Sequence, residues 1–342
     1  MKKIILIASI FAALTTSVFA KAKKTDNSKL KIVTTIFPEY DWTREILGDK
    51  AASTQLTLLV GNGVDLHSYQ PSIQDIAKIS TADIFIYVGG ESDGWVKDAL
   101  KNATNKNMKV INLLEVLGDK VKAEEIKEGM QAEEEEHEDH DHDAEDHDHE
   151  AEGHHHHHDD DDEVEYDEHV WLSVRNAKIL CAEITDVLCE KDAANAAAYK
   201  ANNDAYAAKL DALDKAYTAA VASASKKTIL FADRFPFRYL TDDYGLDYYA
   251  AFVGCSAETE ASFETVVFLS KKVDELDLNS VLKIESGDGK IAKTIVQNTK
   301  KKTAKVLTMD SIQSTTLKQA AAGTTYLKIM EDNLKVLKEA LN

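Results

Sequence analysis

Proline is nearly missing: Pro38, Pro71 and Pro236 are all that occur in 342 residues, each beside an expected strand end or loop. Little in the chain would therefore interrupt regular elements. Cysteine is scarce and odd in number, with Cys181, Cys189 and Cys255, so at least one thiol stays unpaired. Beyond the first twenty residues no stretch approaches the ~20 apolar residues that a membrane helix needs. No His-Glu-x-x-His helix is present, which removes the commonest signature of a zinc hydrolase. After His169 the chain has no histidine at all. Basic residues are outnumbered, 40 against 60, for a net charge of −20, yet twenty-one of the acids lie between Glu133 and Glu168. Without that run the chain is nearly neutral, so nothing in its charge suggests a nucleic-acid surface or a basic membrane-binding face.

What is abundant is concentrated in the same run. It holds ten of the 12 histidines (His137, His140, His142, His147, His149, His154, His155, His156, His157 and His158) and no lysine or arginine. A segment this polar cannot bury enough apolar surface to offset the entropy of ordering it, so residues 131–167 are expected to form a solvated, disordered loop. Neutral imidazole suits Zn, Cu and Ni, and the interspersed carboxylates raise the local cation concentration. An expression tag would account for His154 to His158 but is usually terminal. A plain acidic spacer would account for the carboxylates but not for the imidazoles. The loop is thus expected to be an auxiliary metal collector.

Lys2 and Lys3, the apolar stretch Ile4 to Leu14 and the small-residue pattern Val18-Phe19-Ala20 read as a secretory signal peptide over residues 1–20. No cysteine follows the cleavage site, so no lipid anchor on cysteine is expected and the mature chain should be soluble and periplasmic. Residues 28–190 alternate β-branched runs (Leu30 to Ile36, Gln55 to Val60, Asp83 to Val88, Met108 to Asn112) with helical ones (Pro38 to Leu47, Ser72 to Ser80 with Ser72 as cap, Val174 to Cys189). That alternation implies βα units on a mostly parallel sheet. Over residues 191–225 a long helix is expected from Asp192 to about Ala224, because Tyr199, Tyr206, Leu210, Leu213, Tyr217 and Val221 lay one apolar stripe along it. Residues 226–342 repeat the alternation, with strands at Thr228 to Phe231, Asp247 to Phe252, Ser280 to Ile284 and Lys305 to Thr308. Helices are expected there at Ser262 to Leu276, Lys290 to Thr299 and Thr324 to Leu341. The expected architecture is α/β, with two lobes joined by a rigid helix and ligand loops facing one another across the cleft.

Outside the acidic loop only His67 and His169 remain. His67 lies in Gly63-Val-Asp-Leu-His-Ser-Tyr-Gln-Pro71, after a strand, and His169 in Asp167-Glu-His-Val-Trp-Leu172, where the loop re-enters the fold. Together with Thr34-Thr-Ile-Phe-Pro38, the acidic histidine insert and Tyr244-Gly-Leu246, these segments resemble the zinc and manganese solute-binding proteins of ABC importers, the zinc-uptake members most of all. The resemblance spans essentially the whole mature chain. It implies two α/β lobes with one metal buried between them, His67 and His169 as the amino-lobe ligands, and an ABC permease as partner.

The carboxyl lobe departs from that pattern. Many relatives open the segment leading to Tyr-Gly-Leu with a third histidine, and a gap-free count back from Tyr244 puts Arg234 there. Arginine keeps its proton and cannot ligate a cation. Asp233 is the expected substitute, and the resemblance implies Asp310, just after the strand Lys305 to Thr308, as a further ligand because relatives often carry a ligand aspartate there, with Glu258 as a lesser candidate. Asp233 could instead pair only with arginine, and Asp310 could merely cap Ser311 to Ser314. Cys189 or Cys181 could pair with Cys255; a Cys189–Cys255 disulfide is one expectation and three free thiols the other.

The leading expectation is a monomeric, non-enzymatic periplasmic protein that delivers Zn2+ to a permease. Manganese delivery is the rival within the family, since two histidines with two carboxylates suit Mn2+ better than three histidines would, whereas the imidazole-dense loop favours zinc. A secreted zinc hydrolase, or a metal-storing adhesin, is the rival from another class.

Overall fold

The computed structural model describes residues 29–131, 165–256 and 260–342. The leader, the ten loop histidines and Glu258 lie outside the described residues.

The amino lobe runs β1 (Lys31–Thr34), α1 (Phe37–Leu47), β2 (Gln55–Leu58), α2 (Ile73–Ser80), β3 (Ile84–Tyr87), α3 (Val96–Lys101), β4 (Lys109–Asn112) and α4 (Leu113–Leu117). Its four strands pair in parallel in the order β2-β1-β3-β4. Ile84, Phe85 and Ile86 are all buried, as expected where helices cover both faces of a parallel sheet. Ser72 caps α2, its hydroxyl accepting from the Asp75 amide while Asp75 returns a bond to the Ser72 amide. This reciprocal cap satisfies two backbone donors that a helix start leaves free.

Beyond the acidic loop come α5 (Val174–Lys191) and, after a short 3-10 turn at Ala193–Asn195, α6 (Ala196–Ser223). The helix starts later than expected from Asp192, because residues 193–195 take the tighter winding. The 28 residues of α6 span about 42 Å at ~1.5 Å each, and its six stripe residues are all buried. It bonds to both lobes: Asn202 Nδ2 donates to the Ile46 carbonyl at 2.9 Å, and Tyr217 Oη to the Met330 carbonyl at 2.7 Å.

The carboxyl lobe continues β5 (Thr228–Arg234), α7 (Arg238–Tyr244), β6 (Asp247–Phe252), α8 (Phe263–Glu275), β7 (Ser280–Ile284), α9 (Lys290–Asn298), β8 (Lys305–Met309), α10 (Leu317–Ala321) and α11 (Tyr326–Ala340). Its parallel order, β6-β5-β7-β8, reproduces that of the first sheet. In each sheet the chain reverses direction across the sheet beside the first strand, the place where loops diverge and leave a crevice at the strands' carboxyl ends. One apolar core runs through both lobes and includes Trp42, Trp171, Tyr217, Phe231 and Tyr326. Tyr326, at the start of α11, donates from its amide to Asp41 and from its hydroxyl to the Trp171 carbonyl, each at 2.7 Å. A core shared in this way ties the lobes together. No helix among the described residues is long and apolar enough to cross a membrane.

Candidate metal centre

The two sheets face one another across a cleft of about 990 Å3 whose lining includes Asp65, His67, Glu168, Asp233, Arg234 and Cys255. His67 sits on a single 3-10 turn, Leu66–Ser68, in the loop after β2. Asp65 caps that turn by accepting from the His67 amide at 3.1 Å. His169 is fully buried where the chain returns from the acidic loop. Asp167 Oδ1 accepts from both the backbone amide and Nδ1 of His169 at 2.9 Å. An ionised carboxylate only accepts, so this contact puts the proton on Nδ1 and turns the Nε2 lone pair into the cleft.

The two Nε2 atoms lie 3.1 Å apart. Two imidazole ligands of one tetrahedral zinc, each at ~2.0–2.1 Å, would stand roughly 3.3 Å apart, so the pair is already spaced for one ion. His67 Nδ1 contacts Ser92 Oγ at 2.7 Å and Glu168 Oε2 at 3.6 Å. Burial, then the neighbouring His169, pushes His67 well below the usual imidazole range, which keeps it neutral and able to ligate. Glu168 in turn accepts from the Ser92 amide at 2.9 Å, and burial raises its own carboxyl. Its carboxylate lies against Gly90, where φ is +78° and an added Cβ would fall 2.3 Å from Glu168 Oε1, so only glycine fits.

Among the described residues, the third donor that converges with the histidines is Cys255, whose Sγ lies within 4.8 Å of a ring nitrogen of each. The same thiol also falls within 4.8 Å of carboxylate oxygens of Glu124 and Glu165, and the Cys255 amide donates to Glu124 at 3.0 Å. Gly254 lets this loop lie against the imidazole, since a Cβ there would stand 3.0 Å from His169 Cε1.

Asp233 and Asp310 belong to no such convergent set among the described residues. Asp233 lies in the cleft lining but turns its oxygens to its own lobe, accepting from the Arg234 amide at 3.0 Å and the Ile284 amide at 3.3 Å, and burial raises its carboxyl. Asp310 Oδ1 accepts from the Ile312 amide at 2.8 Å, the capping role that competed with ligation. Burial and then Glu285 push its carboxyl up to about 7. Arg234 spans the cleft to Asp65 Oδ2 at 2.6 Å, and so steadies from the opposite lobe the residue that caps the His67 turn. Burial works against the Asp65 carboxylate, but Arg234 and His67 outweigh it and hold its pKa below the usual range.

The Cys189–Cys255 disulfide is overturned: all three cysteines are free thiols. Cys189 is held at the end of α5, where its thiol faces the Ala196 carbonyl at 3.6 Å, while Cys255 lies beside His67 and His169. Cys255 itself carried a readable signal, a thiol just beyond a predicted strand end. Gln313 carried none. It is an uncharged amide, yet its Nε2 stands 2.7 Å from His169 Nε2 and 3.0 Å from His67 Nε2.

A family model for the periplasmic component A of a zinc-uptake complex, ZnuA, matches residues 32–340. The chain is 34% identical over 339 residues to zinc-binding lipoprotein AdcA of Streptococcus pneumoniae serotype 4, covering 99% of this chain and 61% of that protein. It thus spans about three-fifths of the length of the AdcA relatives. To the high-affinity zinc uptake system protein ZnuA of Bacillus subtilis it is 30% identical over 313 residues, covering 92% of this chain and 88% of that one. Among solved structures, the Zn(II)-bound ZnuA-like domain of Streptococcus pneumoniae AdcA superposes with a TM-score of 0.66 at 28% identity, over 92% of this chain and 99% of that one. The metal-dependent lipoprotein YcdH of Bacillus subtilis gives 0.69 at 26%, with the same two coverages. Two like-ordered parallel lobes around paired histidines, with a family match over nearly the whole described chain, make this protein a member of the ZnuA family of zinc-uptake solute-binding components.

Proposed function

We propose that this chain is an exported, monomeric zinc-binding protein of the periplasm that captures Zn2+ and presents it to an ABC permease, without catalysing a reaction. The observation that carries the reading is the pair of Nε2 atoms 3.1 Å apart, one on a fully buried ring whose tautomer a carboxylate fixes. The bound ion takes His67 and His169 from the amino lobe and the Cys255 thiolate from the carboxyl lobe. Asp233 and Asp310 stay outside the set, since both already accept from backbone amides. A thiolate beside two imidazoles favours zinc over manganese, because Mn2+ prefers carboxylate and carbonyl oxygen.

The acidic histidine run serves as a collector. Its thirty-odd residues are tethered directly before His169, and a tether of that length presents captured zinc at an effective concentration of roughly millimolar order. Calorimetric titration of protein lacking residues 133–163 tests the division of labour. One tight zinc equivalent remains and the weaker ones disappear. Loss of the tight equivalent with the weak ones would overturn the assignment of the core site, and retention of all the weak ones would overturn the collector.

A further inference from the structure

We infer that Gln313 is an internal competitor for the metal: in the metal-free protein its amide occupies both histidine lone pairs, and zinc must displace it to bind. The inference rests on the metal site proposed above.

The donor and acceptor count is what assigns the role. His169 donates its Nδ1 proton to Asp167; with the His67 proton likewise placed on Nδ1, donated to Ser92 Oγ, each ring directs an unprotonated Nε2 to the same point. Two lone pairs 3.1 Å apart repel unless a donor lies between them. A primary amide has two N–H groups, and Gln313 Nε2 stands within hydrogen-bond distance of both nitrogens, 2.7 and 3.0 Å. The other end of the amide, Oε1, lies 3.1 Å from Ser311 Oγ, whose single proton is shared with Glu285. Gln313 is itself buried. A metal ion needs the same two lone pairs, so amide and zinc exclude one another at these atoms.

The backbone that presents Gln313 is held to that task. Ile312, fully buried, has a φ of +65°, a conformation that β-branched residues rarely take and that turns the chain so the next side chain points at the histidines. Glu285 at the end of β7 fixes the segment, accepting from the Ser311 amide at 2.7 Å, the Ser311 hydroxyl at 2.9 Å and the Ser314 hydroxyl at 3.0 Å. The Ser311 carbonyl accepts from Trp171 Nε1 at 2.9 Å, two residues beyond His169. The carboxyl lobe thus closes on the amino-lobe histidines through an amide when no ion is present. The closed metal-free state is a population that zinc has to draw from, which weakens the apparent affinity by the fraction that is open.

The test is zinc titration of Gln313→Ala and Gln313→Leu, in protein lacking residues 133–163, beside His169→Ala in the same background. Both substitutions remove the competitor, so zinc binds roughly tenfold tighter. The metal-free melting temperature falls while that of the zinc-loaded protein is unchanged, a split that a merely structural role would not produce. Weaker zinc binding by both variants would overturn the inference and make Gln313 a ligand or a support. Unchanged affinity would overturn it by showing that the amide holds nothing shut. If instead His169→Ala binds zinc as tightly as its parent, the site assignment itself fails, separately from the role of Gln313.

Discussion

The two lobes share strand order and parallel register, yet they equip the cleft in opposite ways. The amino lobe brings two imidazoles whose partners are fixed beforehand: Asp167 on His169, Ser92 and Glu168 on His67, and Asp65 under the turn that carries His67. The carboxyl lobe brings an amide on a segment with left-handed backbone and a thiol on the loop after β6. Its arginine reaches across to Asp65 rather than to an ion. On the proposed assignment, one half is preorganised for the metal and the other is arranged to be satisfied without it. Holding ligands in place before binding reduces the ordering cost of capture, while a replaceable contact on the far side lets the cleft close in either state.

The largest break in this contrast is removal of an amino-lobe ligand. His169→Ala, or His67→Ala, is expected to weaken the tight zinc equivalent by more than ~100-fold, beyond what loss of an outer partner typically costs. Competition titration against a chelator measures it, and a smaller loss than that caused by Cys255→Ser would invert the comparison. Next comes Asp167→Asn, which keeps the shape but no longer fixes the His169 tautomer, and should cost about 10–100-fold in zinc affinity with little change in fold.

Cys255→Ser sharpens the carboxyl-lobe side. The wild-type protein loaded with Co2+ is expected to show a near-ultraviolet thiolate-to-cobalt charge-transfer absorption that the variant lacks. If the wild-type protein binds Co2+ tightly without that absorption, the thiol is not a ligand even though the histidines are. Arg234→Ala removes the charge pair with the Asp65 carboxylate across the cleft, both side chains being mostly shielded from water. A fewfold weaker affinity is expected, with less of the salt dependence the parent shows.

The smallest effect is on stability and comes from a carboxylate away from the cleft cluster. Glu39, wholly buried at the start of α1, accepts from the Thr35 amide at 2.8 Å and the Ile36 amide at 3.2 Å. Burial, then Asp93, pushes its pKa up to about 8 from an ordinary 4.5. The folded state therefore holds a proton that the unfolded state releases, and this contribution to stability is complete below pH 4.5 and lost as pH rises through 8. The melting temperature of the metal-free protein should fall over that window, and Glu39→Gln should flatten the decline. An unchanged slope would show that Glu39 folds ionised.

Much of the architecture could be read without a structure, because it follows from local periodicity. The strands at Asp247–Phe252 and Ser280–Ile284 fall where the short apolar and aromatic runs put them, and the stripe from Tyr199 to Val221 marks the buried face of α6. The short helices Val96–Lys101, Leu113–Leu117, Arg238–Tyr244 and Leu317–Ala321 went unread, since five to seven residues hold too little of a 3.6-residue period to be seen. His67 and His169 stood out by motif, and the structure brings them together although they are 102 residues apart.

The chain by itself determined the lobes, the long helix and the two imidazoles, because each depends on residue type and on spacing along the backbone. Which carboxyl-lobe groups face those imidazoles was decided only by the tertiary fold. Asp233, at a strand end, was the expected substitute ligand, and Asp310 matched a position where relatives often carry a ligand aspartate; in the fold they accept from the amides of Arg234, Ile284 and Ile312. Cys255 and Gln313 converge on the site from separate loops of the carboxyl lobe. Such convergence depends on how loops after different strands approach in space, a relation between distant backbone segments that no local pattern of residues encodes.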